Sequence, residues 1–143
     1  MPPKYHFILS FFAAFIMLFF GVNFLFCLLF FLSSFFIDFD HYLHYIFKKK
    51  SFNLSNAYHY HKNYLAKELE RRNQKSILMV FHTIEFMFLI LILSTFLKII
   101  WPIFLGCLFH IVIDIIHELT MKHKKYKRVY SLIFYAIKTK RIS

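Results

Sequence analysis

The sequence feature that most constrains the fold is an almost uninterrupted apolar run over residues 7–37. As a single helix, these residues would be about 46 Å long at 1.5 Å per residue, whereas the hydrocarbon core of a bilayer is only about 30 Å thick. We therefore predict two helices that break at residues 21–23, around Gly21 and Asn23, which are the most turn-prone residues near the middle of the run. Ser33-Ser34 is a less favoured break, because it would leave too little chain for a second span.

Two further apolar segments follow a polar stretch. Residues 77–97 read as a clear span, and residues 103–119 as a shorter one that starts after Trp101-Pro102, an interfacial aromatic and a helix-start proline. Residues 129–137 are too few to cross a bilayer, which takes about 20 residues, so we predict an interfacial helix there. The predicted spans are residues 6–21, 24–47, 77–97 and 103–119.

Composition supports a membrane protein, because 59% hydrophobic and 22% aromatic residues are too many for an ordinary soluble domain. We predict that residues 1–143 form one integral membrane domain of the all-α class. Its architecture would be a small bundle of about four transmembrane helices with a basic cytoplasmic loop and a C-terminal interfacial helix. Within the loop, Ser55 or Asn56 is expected to cap a helix that runs to about Asn73.

The distribution of charge predicts the topology. The formal net charge is +11, and in the four-span arrangement every Lys and Arg except Lys98 falls on one side of the membrane. The positive-inside rule makes that side cytoplasmic, so we predict a multi-pass protein of the cell membrane with both termini in the cytoplasm. The basic residues would then meet membrane lipids. No nucleic-acid partner is predicted, because no polar scaffold presents those residues.

Ionisable side chains of the predicted spans collect on the same side. An unpaired carboxylate in lipid is costly, so such residues usually face a protein interior and have a function. They are His6, Asp38, Asp40, His41, His44, His82, Glu85, His110, Asp114, His117 and Glu118.

Several of these residues are spaced to share a helix face. His110, Asp114 and His117 follow an i, i+4, i+7 pattern, and Asp38 and His41 are i, i+3. One such pair is more often a hydrogen-bonded pair than a metal site, but four clusters on one side favour a divalent metal ion. Imidazole nitrogen with carboxylate oxygen suits zinc, iron or manganese, of which we favour zinc, and a bound water could become a nucleophile.

Among the remaining histidines, His82 belongs to a span, and those outside the spans are weaker candidates. His82 and Glu85 are again i, i+3, which predicts a shared face of the third span. His59 and His61 lie in the basic loop and are less favoured as ligands. His123 stands among lysines and is predicted to belong to a basic surface.

The order of these motifs resembles the YdjM-like family of membrane-bound, predicted metal-dependent hydrolases. That family has a histidine before the first helix, a Pro-Asp-x-Asp-His element closing the second, a His-containing stretch opening a later helix and a Gly-x-x-x-His-x-x-x-Asp helix. The similar elements here are His6, residues 37–41, residues 81–83 and residues 106–114. Ile37 stands in place of the family's proline. The His-Arg-Gly that the family often carries ahead of its Thr-His pair is absent, which bears on substrate binding and activity.

The resemblance implies a metal-dependent hydrolase, and the position of the polar residues suggests a lipid, another amphiphile or a small molecule, such as a phosphoester, as substrate. Glu85 and Asp38 are the catalytic candidates, as a general base or as groups that orient the ligands. The candidate metal ligands are His6, Asp40, His41, His82, His110 and Asp114.

Two other functions remain open. In a non-catalytic membrane protein, the metal would only hold the helices together. An ion transporter or proton relay would need polar residues that continue to the opposite side of the membrane. The candidates there are few, so this function is less favoured: Asn23, Ser94, Thr95 and Lys98.

Overall fold

The computed structural model describes residues 3–64, 67, 76–120 and 127–140. Within these residues the chain is almost entirely helical, which confirms the predicted class. The helices are α1 (Pro3–Phe19), α2 (Phe24–Phe36), α3 (Phe39–Lys49), α4 (Leu54–His59), α5 (Ile84–Phe96), α6 (Trp101–Thr120) and α7 (Leu132–Lys140). A π-helical turn covers Tyr60–Tyr64, and 3-10 turns cover Val80–His82 and Lys98–Ile100. The sequence did not predict two short strands, β1 (Ser76–Leu78) and β2 (Lys127–Val129), which pair in parallel.

The chain divides into two compact units. The first unit consists of Met1–Ile37 and Phe86–Lys122, and the second consists of Asp38–Glu85 and His123–Ser143. Each unit is therefore built from two separate stretches of the sequence. The prediction of one integral membrane domain stays a prediction.

The predicted break in the first apolar run is present. α1 ends at Phe19, Gly21 has a φ of 82°, and α2 begins at Phe24. Glycine adopts a positive φ without steric cost, which explains why the chain turns here. The side-chain oxygen of Asn23 accepts a hydrogen bond from the backbone N–H of Leu25 at 2.9 Å and so caps α2. The prediction of two helices is confirmed.

Two helical stretches are long and apolar enough to cross a membrane. They are Phe24–Lys49, which includes a short turn, and Lys98–Thr120. α1 and α5 are also apolar but shorter, with 17 and 13 residues. Two of the four predicted spans thus meet the length requirement of about 20 residues.

The helix predicted over residues 24–47 is not continuous. It is interrupted by a turn at Ile37 and Asp38, so α2 ends before it and α3 begins after it. Within this turn the Ile37 N–H bonds the Ser33 carbonyl at 3.2 Å, and the Asp38 carbonyl accepts from the His41 N–H at 3.0 Å. The turn therefore keeps helix-like hydrogen bonds.

The span predicted over residues 77–97 does not begin as a helix. The chain first forms β1, then a 3-10 turn, and α5 starts only at Ile84. Hydrogen bonds to another segment replace those of a helix, because β1 pairs with β2 and the Ile84 N–H donates to the Tyr130 carbonyl at 2.8 Å. The prediction that His82 and Glu85 share a helix face is therefore wrong, since His82 ends the turn that precedes α5.

In the second unit, α3 and α4 pack around a small core. Its buried residues are Tyr45, Ala57, Tyr60 and Met79. These side chains hold the segment around Met79, which leads directly into the 3-10 turn that carries His82.

The cap of α4 lies earlier than predicted. The side-chain oxygen of Asn53, not Ser55 or Asn56, accepts a hydrogen bond from the Asn56 N–H at 2.9 Å. The helical path continues through the π-helical turn to Tyr64. The predicted end near Asn73 lies outside the described residues.

In the first unit, α2 and α6 approach backbone to backbone at Gly106. A Cβ atom at this position would overlap the Phe30 carbonyl oxygen and the Ser33 hydroxyl, and would lie 3.1 Å from the Ser34 nitrogen. Small residues that allow such close approach are typical of helix packing in membranes. α1 joins the pair through a buried hydrogen bond of 2.7 Å between the hydroxyls of Ser10 and Ser34.

We expect Gly106→Ala to destabilise the first unit by about 1–3 kcal/mol, the usual cost of an extra methyl group in a packed core. The helix backbone opposite Gly106 can move away only if α2 and α6 separate. Thermal unfolding in detergent micelles measures the effect. Leu108→Ala, at an exposed position of the same helix, is the matched control. Equal unfolding temperatures for Gly106→Ala and the unmodified protein would contradict the close packing.

Candidate metal-binding site

Asp40, His41 and His82 form a polar group in the second unit. Oδ1 of Asp40 lies 2.8 Å from Nδ1 of His41, and Oδ2 lies 2.9 Å from Nδ1 of His82. The backbone N–H of Phe81 also donates to Oδ2, at 3.2 Å. The possible ligand atoms of the three residues all lie within 4.8 Å of one another. This group could therefore hold one metal ion.

Asp38 places a second carboxylate beside this group. Its Oδ1 lies 3.4 Å from Nδ1 of His41 and 3.5 Å from Nε2 of His82. Asp40 is buried, whereas Asp38 is only partly buried. Asp38 therefore lies where it can orient both imidazoles, and its predicted catalytic role stays a prediction.

Two segments far apart in sequence build the group. The first turn of α3 supplies Asp40 and His41, and the 3-10 turn supplies His82. Thr83 is fully buried and donates its hydroxyl hydrogen to the Val80 carbonyl at 2.7 Å, which closes the 3-10 turn. The sequence shows which residues can act as ligands, but the turn that orients His82 depends on contacts within the second unit.

The Asp40 carboxylate fixes the tautomer of both histidines. Because a carboxylate only accepts hydrogen bonds, Nδ1 of His41 and of His82 carries the proton. In the neutral rings, Nε2 then has a lone pair. Nε2 of His82 faces Oδ1 of Asp38 at 3.5 Å. These two electron-rich atoms attract each other only if a proton or another cation lies between them.

A second polar group lies in the first unit and consists of His6, His110 and Asp114. Their exposed fractions are 1%, 0% and 3%. Nε2 of His6 lies 3.2 Å from Oδ1 of Asp114, and Nε2 of His110 lies 3.6 Å from Oδ2. The two imidazole rings stack with their centroids 3.9 Å apart. The break between α1 and α2 thus brings His6 together with the two residues of α6.

The tautomer of His110 is fixed as well. Its Nδ1 lies 2.7 Å from the backbone carbonyl oxygen of Ser34 and donates to it. Nε2 therefore faces the Asp114 carboxylate, as Nε2 of His82 faces Asp38 in the second unit. Sequence reasoning missed the role of Ser34, because a backbone carbonyl carries no signature in the residue type.

His61 packs against the group of the second unit, although the sequence made it a less favoured ligand. Its Nε2 lies 2.7 Å from the His41 carbonyl oxygen. Its ring centroid lies 5.3 Å from that of His41 and 5.4 Å from that of His44. Burial is the main cause that lowers the pKa of His61 to about 4, so its imidazole is neutral near pH 7. His59 in the same loop is exposed, and His123 lies outside the described residues.

Glu85 contacts the N-terminus of α7. Its carboxylate accepts hydrogen bonds from the Ser131 hydroxyl at 2.7 Å and from the backbone N–H groups of Leu132 at 3.0 Å and Ile133 at 3.3 Å. Such bonds satisfy N–H groups that a helix leaves unpaired at its start. Glu85 therefore has a capping role that the sequence did not reveal, and both of its oxygens are engaged. Its predicted role as a general base stays a prediction.

Comparison of the chain with family models, with curated proteins and with solved structures finds no match. The chemistry of the two polar groups is therefore the guide to function.

We expect Glu85→Ala to loosen the start of α7, because three donors lose their common acceptor. Amide hydrogen exchange followed by mass spectrometry should show faster exchange over residues 131–134. Thr95→Ala, which removes an exposed hydroxyl bonded to its own helix at Ile92, is the control. Unchanged exchange in Glu85→Ala would contradict the capping role.

Proposed function

We propose that this protein is a membrane-bound, metal-dependent hydrolase with its metal site at the cytoplasmic face of the membrane. The observation that supports this proposal best is the Asp40–His41–His82 group, a carboxylate and two imidazoles whose ligand atoms lie within 4.8 Å of one another. Its motifs resemble those of the YdjM-like family, which is predicted to have this activity.

In each unit an imidazole nitrogen faces a carboxylate, which calls for positive charge between the two. In the second unit, Nε2 of His82 faces Asp38. In the first unit, Nε2 of the fully buried His110 faces Asp114. Acceptors that face each other at a buried site are costly unless a positive charge lies between them. A second proton on the imidazole supplies that charge, and so does a divalent ion, which binds this combination of nitrogen and oxygen atoms.

Asp40, His41 and His82 would hold the ion, with Asp38 beside them. Zinc fits this set best, because it binds imidazole and carboxylate with three protein ligands and leaves a position open at catalytic sites. When bound, the ion would lower the pKa of a water molecule and so supply a nucleophile near neutral pH. The ion would take the place of the Nδ1 protons that lie between the Asp40 carboxylate and the two imidazoles, so its binding would release protons.

The membrane location is part of the proposal. Two stretches of the chain have the length and hydropathy of spans, and the charge pattern favours cytoplasmic termini. A site at that surface would act on an amphiphile, such as a lipid or a phosphoester with an apolar tail. The basic residues would attract an anionic headgroup.

The metal site is tested by elemental analysis of the protein purified in detergent under metal-replete conditions. We expect bound zinc in the unmodified protein and a loss of about 10-fold or more in zinc affinity in His82→Ala. His59→Ala, at an exposed position of the loop, should bind as the unmodified protein does. Absence of bound metal from the unmodified protein would remove the proposal.

His110→Ala belongs in the same experiment, because it tests whether the polar group of the first unit also binds a metal ion. We expect zinc content to fall in this variant too. Zinc content that stays at the level of the unmodified protein would limit metal binding to the second unit and exclude His110 as a ligand.

Hydrolysis is tested with phosphoester and carboxylic ester substrates that carry acyl chains, in mixed micelles. We expect turnover by the zinc-loaded protein and a loss of at least about 100-fold in Asp40→Asn, because the carboxylate orients both imidazoles. Equal turnover in the two proteins would contradict catalysis at this site. Metal binding and metal-dependent stability without any turnover would favour the non-catalytic metal-stabilised protein.

A further inference from the structure

One buried nitrogen of the second unit has no role in the site as described so far. Nδ1 of His61 is inaccessible to solvent, and no hydrogen-bond partner for it is found among the described residues. A buried polar atom of this kind is uncommon in a folded protein and calls for an explanation, such as an ion or a bound water.

The chemistry of this nitrogen follows from the opposite side of the ring. Nε2 of His61 lies 2.7 Å from the His41 carbonyl oxygen, and a carbonyl can only accept. Nε2 therefore carries the proton of the neutral imidazole, and Nδ1 is left with a lone pair. The hydrogen bond to the His41 carbonyl thus fixes the tautomer of His61. In this tautomer Nδ1 is an acceptor.

The position of the ring limits what the acceptor can meet. Its centroid lies 5.3 Å from that of His41, whose own ring lies 5.5 Å from that of His82. Nδ1 of His61 does not belong to the group of ligand atoms within 4.8 Å of one another, which is made of Asp40, His41 and His82. His61 is therefore next to the candidate ligands without being one of them.

We propose that Nδ1 of His61 accepts a hydrogen bond from a water molecule in the coordination shell of the metal ion held by Asp40, His41 and His82. This inference rests on the proposed metal site and adds a residue to it that the sequence made a weak candidate. In this role, His61 positions the water that the site would activate. Groups that orient the coordination shell typically change metal affinity by about 10–100-fold when they are replaced.

Two substitutions distinguish the contribution of Nδ1 from that of Nε2. His61→Gln places an amide N–H near the position of Nε2, so it can keep the bond to the His41 carbonyl while it removes the acceptor at Nδ1. His61→Asn places an amide oxygen near the position of Nδ1, so it can keep the acceptor while it loses the bond to the carbonyl. His59→Gln is the control for a histidine-to-amide change in the same loop.

The test is a zinc competition titration against a chromogenic chelator, with Co²⁺ absorption spectra of the same proteins. We expect His61→Gln to bind zinc about 10-fold more weakly than the unmodified protein, with Co²⁺ bands of unchanged position and intensity. His61→Asn should bind more tightly than His61→Gln, and His59→Gln should match the unmodified protein. Circular dichroism establishes that each variant is folded.

Three results would overturn the inference. Unchanged zinc affinity in His61→Gln would show that His61 only braces the backbone of α3. A shift of the Co²⁺ bands in His61→Gln would make His61 a direct ligand. Weaker binding in His61→Asn than in His61→Gln would assign the effect to the lost backbone bond. Absence of zinc from the unmodified protein is a different result, because it removes the metal site itself.

Discussion

The close approach of α2 and α6 at Gly106 is the contact on which the first unit depends. Because no side chain separates the helices there, the Ser34 carbonyl comes within hydrogen-bond distance of His110. The Ser34 hydroxyl bonds Ser10 on the other side and so ties α1 to the pair. That attachment brings His6 beside His110. The geometry of the polar residues is therefore set by a glycine and two serines that carry no charge.

The second unit is organised differently, around the single carboxylate of Asp40. Both of its oxygens are used, one by His41 and the other by His82 and the Phe81 backbone. A buried carboxylate needs such partners, because an ionised group without them would be strongly destabilising at this depth. The same contacts fix the protons on the imidazoles. The contacts of Asp40 thus stabilise its buried charge and also orient the two imidazoles.

Much of the fold could be predicted from hydropathy and a few turn-forming residues. The length of the apolar run and the pair Gly21 and Asn23 were enough to locate the break between α1 and α2. The start of α5 could not be predicted, because residues 77–83 are as apolar as a span. Instead, residues 76–78 pair with residues 127–129, and the Ile84 N–H donates to the Tyr130 carbonyl. Local pattern gives no information on such tertiary contacts.

The candidate site shows the same limit. Residue type and spacing were sufficient to select the residues that form the two polar groups, including Asp40 and His110. They were not sufficient for Glu85, because its partners are the backbone and a serine about 46 residues later in the chain. They were also not sufficient for His61, whose place depends on the path of the loop between α3 and β1. Interactions with backbone groups cannot be inferred from residue types.

The parallel pairing of β1 with β2 has a consequence for the order of folding. Ser76 is in register with Lys127, so a ribosome must add α5 and α6 before the partner of β1 exists. Contacts between such distant residues form late, because a long loop has to close first. The segment that carries His82 would therefore reach its final conformation only after residues 127–129 have been synthesised. A chain arrested before residue 127 would contain every candidate ligand and still lack the strand that orders the neighbourhood of His82.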